Sequence, residues 1–354
     1  FDPKSMRPPS GKIALVWRRV RWSARRVVRA IRMMHQYRVL GRYLVKHNPD
    51  VIQFGIIRFP ITARFLARLR RRGLYLSQVM HEYELREQAG SRLVSWVIRL
   101  QGNTYHHLDT IFFHGVDPRD KFLSAYPYPK DQTHLIEHGN EALFLPSSDQ
   151  EQVAFDPNRH YQLDPDDRVV LFFGILQPSK GLPDLIEAFA QVSRRSGHAK
   201  LLIVGYPSKH INLDEIRRAI SDSGVADRII LDTRYVPMEQ VGDLIRCASV
   251  VVFPYLSATQ SGALQVAYAF GRPVVATTVG TMPQDVEDGR SGLLVPPSSP
   301  ERLAEAILEI VSNPKRAEEM GAHAKHLSDT RFAWEPIAAN MLEVYRNKIR
   351  KLEQ

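Results

Sequence analysis

The second half of the chain alternates short apolar runs with segments that place apolar residues every three to four positions. Short apolar runs bounded by Gly, Pro or polar residues are typical of buried strands, and the segments between them have the spacing of amphipathic helices. This alternation predicts a parallel sheet with helices on both faces, a doubly wound, Rossmann-like α/β domain. The predicted strands are 168–176, 199–205, 228–231, 249–253, 272–277 and 292–295, and the predicted helices are 182–192, 213–223, 238–247, 262–270 and 300–311.

The first half repeats this pattern in less space and adds a basic amphipathic helix at 18–42. The polar, Pro-rich segment 146–167 is expected to be a linker. We therefore predict domains at 1–150 and 151–335, a last helix at 336–354, and a ligand cleft between the carboxyl ends of the two sheets. The strands predicted in this half are 51–55, 76–81, 110–115 and 133–139, with one possible strand at 12–17.

Positive charge is concentrated at one end of the chain. The net charge is +10, yet residues 1–72 alone hold 19 Lys and Arg against two acids. The basic helix at 18–42, with two tryptophans near its start, suits an anionic membrane surface. It is equally compatible with a helix that packs on the core and leaves an arginine face in solvent. A nucleic-acid-binding protein is disfavoured, because the basic residues lack an interleaved recognition motif.

Other features of composition limit the compartment and the chemistry. The single cysteine, Cys247, excludes an intramolecular disulfide and fits a reducing compartment. No apolar run is long enough to span a bilayer and no signal peptide is evident, so we expect a cytoplasmic protein, peripheral on the inner membrane face at most. The 13 histidines show no paired metal-ligand spacing, so neither a metal nor a cofactor is predicted.

Two strand ends in the second half suit a phosphate ligand. In Phe173-Gly-Ile-Leu-Gln-Pro-Ser-Lys-Gly181 a glycine permits close backbone approach, and Lys-Gly opens a helix whose N–H groups favour anions. In Pro254-Tyr-Leu-Ser-Ala-Thr-Gln-Ser-Gly262 a small polar loop again opens a helix. The alternative for the first is an ordinary strand–helix turn with a surface lysine, and for the second, simple N-capping by Ser or Thr.

A third segment, Arg234-Tyr-Val-Pro237, lies between a strand and the next helix. Its backbone can meet the edge of a nucleobase and its tyrosine can stack on the ring. The alternative is a turn with proline at the start of the helix.

The order of these segments resembles the group 1 family of retaining glycosyltransferases, also called family 4. A fourth block, Ala-Tyr-Ala-Phe-Gly-Arg-Pro-Val-Val-Ala-Thr-x-Val-Gly from Ala267, completes the series. Four blocks in order are far more specific than any one of them, and the resemblance covers roughly 165–345 and more loosely 49–150. It implies the GT-B fold, in which two Rossmann-like domains face each other across a cleft, here with a small or truncated N-terminal domain.

The resemblance implies roles on the donor side. Gly174, Lys180 and Gly181 would hold the diphosphate of a UDP-, GDP- or ADP-sugar, and the backbone near Tyr235 and Val236 would meet the base. Gln177 is a further donor-side residue, at a position where the family often has arginine. The loop that would cradle the diphosphate or the sugar consists of Thr259, Gln260, Ser261, Gly262 and Ala263.

It also implies a reaction centre and an acceptor side. His81 resembles the strand-end histidine that lies near the anomeric carbon in this family, and with Lys180 it is the predicted catalytic residue. A purely structural histidine is the alternative. The turn with His138, Gly139 and Asn140 resembles the family's cleft-lining turn, and Gln53 and Glu82 are also assigned to the acceptor side.

The expected reaction follows from this resemblance. A nucleoside diphosphate leaves while the sugar gains oxocarbenium character, and cationic and N–H groups stabilise the leaving phosphate. We expect a retaining, metal-independent transfer to a glycan or lipid-linked acceptor in the synthesis of cell-surface polysaccharide or glycoconjugate.

The sequence departs from the family pattern in two respects. The family usually has two glutamates eight residues apart around the Gly262 helix, where this chain has Ala258 or Thr259 and Val266 or Ala267, resembling a subgroup with Ser-Gln-Ser-Gly-like loops. This loss keeps open a catalytically inactive, donor-binding relative. The family's first strand–loop–helix unit is also not recognised, so we expect the N-terminal domain to lack one or two βαβ units.

Overall fold

A computed structural model describes residues 12–57, 62–81, 102–141, 144 and 155–352 of the chain. The chain divides into two compact units, one of residues 1–79 with 85–111 and the other of residues 80–84 with 112–354. In the described part of the chain, no helix combines the length and the apolar character that crossing a bilayer requires. The domain boundaries predicted from the sequence stay predictions.

The N-terminal part of the chain forms a four-stranded sheet in the order β1-β2-β3-β4. Strands β1 and β2 pair in parallel, with Val51 opposite Tyr75. The predicted strand at 12–17 is wrong, because α1 begins at Lys12 and continues through the predicted basic helix without a Pro or Gly before Gly41. The elements are α1 Lys12–His47, β1 Val51–Phe54, α2 Thr62–Arg70, β2 Tyr75–Met80, β3 Thr110–Phe113, α3 Val116–Ala125 and β4 Thr133–Leu135.

The C-terminal part forms a six-stranded sheet in the order β10-β9-β8-β5-β6-β7, parallel throughout. This confirms the doubly wound domain that the apolar pattern predicts. Its elements are α4 Pro157–Tyr161, β5 Arg168–Phe173, α5 Leu182–Arg195, β6 Ala199–Val204, α6 Leu213–Asp222, β7 Ile229–Asp232, α7 Met238–Cys247, β8 Val250–Phe253, α8 Gly262–Ala269, β9 Val274–Thr277, α9 Met282–Asp285, β10 Gly292–Val295, α10 Pro300–Val311, α11 Pro314–Asp329 and α12 Trp334–Leu352.

The core of the second sheet is made by strands that are apolar on both faces. All four residues of β8 and of β9 are buried, as helices on both sides of a parallel sheet require. Helix α5 buries Leu185, Ile186 and Phe189 at helical spacing against this sheet. Full burial of each such side chain contributes about 1.5–3 kcal/mol of stability, so this sheet is a rigid platform for the loops at its edge.

The expected linker is shorter than the polar composition of 146–167 suggests. Helix α4 begins at the N-cap Asp156, whose carboxylate accepts from the N–H groups of Asn158 and Arg159. Tyr161 and Leu163 are buried in the core of the second sheet. From the start of α4 onward the chain therefore packs on that core, because two apolar side chains are enough to anchor an otherwise polar segment.

Candidate active site

The direction of chain travel through the second sheet reverses between β5 and β8. From β5 the chain runs outward through β6 and β7, then returns to the other side of β5 and runs outward through β8, β9 and β10. The loops that follow β5 and β8 therefore leave the sheet side by side and continue toward opposite faces. In open α/β sheets, ligands bind at such a switch point, outside the carboxyl ends of the strands.

Backbone contacts hold these two loops together. The N–H of Leu256 donates to the carbonyl of Ser179 over 2.9 Å. Gly181 has φ +62°, and a Cβ there would overlap the carbonyl oxygen of Pro254. Only glycine fits this position, because it combines a left-handed backbone with a close approach of two chain segments.

A third loop, which follows β9, packs on the second one. The N–H of Thr281 donates to the carbonyl of Thr259 over 3.1 Å. Gly280 has φ +56°, and a Cβ there would overlap the carbonyl of Ala258. The segments 174–181, 254–261 and 278–281 thus form one hydrogen-bonded unit, the loop cluster, at the carboxyl edge of the sheet.

Lys180 is anchored within the loop cluster. Its Nζ lies 3.4 Å from the centroid of the Tyr255 ring. That tyrosine is buried, and its hydroxyl lies 3.4 Å from Oγ of Ser261. A cation over an aromatic face is held electrostatically by the ring, so one tyrosine contacts both Lys180 and the N-cap residue of α8.

The start of α8 is capped by its own chain. Oγ of Ser261 accepts from the N–H of Leu264 over 3.3 Å, which confirms that this serine serves as an N-cap. The N–H groups of the first turn, those of Gly262 and Ala263, have no acceptor within the helix. An anion at this end would therefore meet the backbone N–H groups of the first turn.

The remaining donor-side residues differ in how they are placed. Gly174 has φ +142°, and its carbonyl oxygen lies so close to Gly205 that a Cβ added to Gly205 would overlap that oxygen. Gln177 directly precedes the 3-10 turn Pro178–Lys180. Tyr235 is 75% exposed while Val236 beside it is buried, so this turn presents an aromatic ring on an anchored backbone.

The histidines of the first sheet's strand ends gather in one place. His81 follows β2, His114 follows β3 and His138 lies three residues beyond β4. The rings of His81 and His114 have centroids 5.0 Å apart, and those of His114 and His138 are 5.1 Å apart. We call these three residues, all in the second compact unit, the histidine cluster. Sequence reasoning missed His114, although it lies at the carboxyl end of a predicted strand just as His81 does.

Burial keeps two of these imidazoles neutral. Desolvation, with the nearby rings of His138 and His81, lowers the pKa of His114 to about 3. Desolvation also lowers the pKa of His138, whose Nδ1 donates to the carbonyl of Gly139 over 3.0 Å. Both groups are therefore hydrogen-bonding neutral rings at ordinary pH.

Gln260 joins the loop cluster to the histidine cluster. Its Nε2 lies 3.3 Å from Nδ1 of His81, and Nε2 of His114 lies at the same distance from that atom. The structure thus brings the predicted His81 and Gln260 together, with the glutamine against a histidine ring. Its role in donor binding stays a prediction.

The turn predicted to line the acceptor side has a supporting role in the structure. Asn140 donates from Nδ2 to the carbonyl of Ser328, and its own carbonyl accepts from the indole of Trp334. A Cβ on Gly139 would overlap that indole. Glu141, which sequence reasoning did not single out, lies beside the start of α8, where a Cβ on Gly262 would be 3.3 Å from its carboxylate. Burial raises the pKa of this carboxyl.

The last two acceptor-side predictions are not tested by these contacts. Gln53 is exposed on β1, in the other compact unit. Glu82 lies outside the described residues.

Comparison with known proteins identifies similar chains. Residues 167–313 match the family model described as glycosyl transferases group 1. A D-inositol 3-phosphate glycosyltransferase of Segniliparus rotundus is 36% identical over 190 residues, 53% of this chain and 42% of that protein. The enzyme of the same name from Acidothermus cellulolyticus is 32% identical over 236 residues, 65% of this chain and 51% of that protein. The chain thus spans about half the length of these relatives.

Solved structures with a similar fold cover more of the chain. Sucrose-phosphate synthase from Thermosynechococcus elongatus has a TM-score of 0.68 at 23% identity, over 89% of this chain and 77% of that one. HepE of Anabaena, solved in complex with UDP, has a TM-score of 0.70 at 17% identity, over 87% of this chain and 82% of that one. The chain therefore has the GT-B fold and carries, at residues 167–313, a segment that matches group 1 glycosyltransferases.

Proposed function

We propose that this chain is a retaining glycosyltransferase that uses a nucleoside diphosphate sugar. The observation that carries the proposal is the loop cluster, which places Lys180 and the start of α8 at the switch point of the second sheet. A cation and unpaired backbone N–H groups are the means by which proteins bind a diphosphate. The match of residues 167–313 to group 1 glycosyltransferases supports the same assignment.

Transfer of the sugar requires that the leaving nucleoside diphosphate is stabilised. Charge develops on the phosphate oxygens as the bond to the anomeric carbon breaks, and a fixed ammonium group with helix N–H donors stabilises that charge without rearrangement. The histidine cluster would meet the sugar, with His81 at the reaction centre. Retention of the anomeric configuration and independence from metal ions belong to this proposal.

Calorimetric titration with UDP, GDP and ADP tests the donor site. Lys180→Ala should weaken binding of the preferred nucleotide about tenfold or more, because hydrogen bonds to charged groups contribute about 1.5–3 kcal/mol. Lys209→Ala is the matched control, since this exposed lysine lies in the loop after β6. A folded chain that binds no nucleotide would rule out the proposal. Binding without turnover would favour an inactive, donor-binding relative.

The acceptor is proposed to be a glycan or a lipid-linked molecule, reached at an anionic membrane surface. Helix α1 contains no acidic residue, and it exposes Val28, Ile31 and Val39 among its arginines. It packs on α2 through the rings of Tyr37 and Phe65, whose centroids are 4.9 Å apart. Apolar side chains exposed on a basic helix are suited to an interface of headgroups and acyl chains.

Flotation with vesicles tests this surface. Arg38→Glu with Arg42→Glu should abolish binding to vesicles that contain phosphatidylglycerol, because each basic residue contributes about 1 kcal/mol near such a surface. Arg302→Glu with Lys315→Glu, an equal change of charge at exposed sites of the second unit, is the control. Unchanged binding of the first variant would exclude α1 as the membrane surface. An assay with soluble inositol phosphate distinguishes a soluble acceptor, such as the one named for the relatives, from a lipid-linked one.

A further inference from the structure

Two neighbours approach a single atom of His81. Nε2 of Gln260 and Nε2 of His114 each lie 3.3 Å from its Nδ1. An amide nitrogen carries two hydrogens and no accepting lone pair, so it can only donate. A hydrogen bond from Gln260 therefore requires that Nδ1 of His81 carries no proton.

This requirement determines the position of the ring proton. A neutral imidazole has one N–H group, so an accepting Nδ1 leaves that proton on Nε2. His114 can supply the second donor only from its own Nε2, because it is a neutral ring with one proton. Its Nδ1 then carries no proton, and the Glu137 carbonyl 3.3 Å away gives up the hydrogen bond that a protonated Nδ1 would donate.

We propose that Gln260 and His114 are positioning residues that hold His81 in the tautomer with its proton on Nε2. The proposal rests on the proposed function, in which His81 contacts the donor sugar. In this tautomer the ring donates rather than accepts, so a sugar oxygen that contacts Nε2 receives a hydrogen bond. An orienting partner on one ring nitrogen commonly fixes the role of the other in this way.

The opposite arrangement of protons has a different set of hydrogen bonds. If His114 donates from Nδ1 to the Glu137 carbonyl, its Nε2 becomes an acceptor and pulls the His81 proton onto Nδ1. The Gln260 amide would then have to turn its oxygen toward His81 and leave its NH₂ in the place now held by Oε1, which is buried and makes no hydrogen bond to the described residues. The proposed tautomer instead leaves the Gln260 oxygen and the Glu137 carbonyl without these hydrogen bonds. Buried carbonyl oxygens that lack a partner are less rare than buried N–H groups that lack one, and this difference favours the proposed tautomer.

Nitrogen-detected NMR of the full chain labelled with ¹⁵N in its histidine rings tests the tautomer directly. The His81 signals are assigned from the spectrum of His81→Gln, and UDP, GDP and ADP affinities are measured on the same samples. The wild-type ring should show an unprotonated Nδ1 and a protonated Nε2. A His81 ring that is protonated on Nδ1 in the wild-type chain would overturn the inference.

Variants separate positioning from folding. Gln260→Glu replaces the donor by an acceptor of the same shape, and should move the His81 proton to Nδ1 and lower kcat about tenfold. His114→Gln keeps an amide donor at the place of Nε2 and should retain the Nε2–H tautomer. His134→Gln, at a partly buried histidine outside the cluster, is the control. A wild-type tautomer in Gln260→Glu would also overturn the inference.

The outcomes of this experiment also separate the inference from the proposed function. The expected tautomer in a chain that binds no nucleotide would contradict the proposed function alone. The opposite tautomer in a chain that binds a nucleotide would contradict the inference alone.

Discussion

The loop cluster and the histidine cluster adjoin each other in the second compact unit but are built from different parts of the chain. The loop cluster is held by main-chain hydrogen bonds and by glycines, and it carries one positioned cation, Lys180. The histidine cluster is held by side chains, and burial keeps His114 and His138 neutral. Backbone N–H groups with a cation suit the dispersed charge of a diphosphate, whereas neutral imidazoles suit the hydroxyl groups of a sugar.

The two clusters should therefore respond to different kinds of substitution. The loop cluster depends on backbone shape, so a single methyl group in the wrong place should disrupt it. The histidine cluster depends on proton positions, so it should respond to pH and to substitutions of equal shape.

The largest expected effect is that of Gly181→Ala. The added Cβ overlaps the carbonyl of Pro254, and the backbone there has φ +62°. We expect a loss of roughly 3 kcal/mol in the free energy of unfolding, together with weaker nucleotide binding, because strain and overlap add. Urea unfolding and calorimetry measure the two effects.

Gly224→Ala is the matched control for that substitution. Gly224 has φ +74° and no atom within 4 Å of an added Cβ, so only the backbone strain remains, about 1 kcal/mol. Equal losses in the two variants would show that the loops after β5 and β8 are not in close contact.

The next expected effect is the pH dependence that His114 contributes to stability. Its pKa is lowered in the folded chain to about 3, below the ordinary value of 6.5, so the unfolded chain binds the proton first as pH falls. Stability from this group is complete above the ordinary value and is lost as pH falls toward the folded value. Between pH 7.5 and 5 the wild type should lose about 2 kcal/mol more than His114→Gln does.

The wild type must be compared with a variant because the stability that another buried group contributes changes with pH in the opposite direction. Burial raises the pKa of Asp285 to about 7, so its contribution to stability falls as pH rises between the ordinary and the folded value. Asp285 is present in both proteins, so the difference between their unfolding curves cancels its effect. His210→Gln, at an exposed histidine, should reproduce the wild-type profile. Parallel profiles for the wild type and His114→Gln would contradict a buried, neutral His114.

The sequence predicts the loop cluster better than the histidine cluster, for a physical reason. Strand–Gly–loop–Lys–Gly is a local pattern, and the glycine needed at Gly181 can be recognised within ten residues. The contact of His114 with His81 depends on β2 and β3 being neighbours in the sheet, which brings Nε2 of His114 within 3.3 Å of Nδ1 of His81. A local sequence pattern does not contain this information. The prediction of a strand at 12–17 is wrong because the periodicity of so short an apolar run does not distinguish a strand from a helix. In the structure these residues are the first turns of the long helix α1.

The smallest expected effect concerns Tyr235, at the rim of the proposed donor site. Its ring is 75% exposed, so a stacked base would cover only one face, and Tyr235→Ala should weaken nucleotide binding about fivefold, at the low end for base–aromatic stacking of roughly 1 kcal/mol. Tyr235→Phe keeps the ring and should bind as the wild type does. Inorganic pyrophosphate, which has no base, should bind both variants equally, because it contacts the loop cluster alone. A loss of pyrophosphate affinity in Tyr235→Ala would show instead that the substitution disturbs the loops, since the ring itself has no contact with a diphosphate.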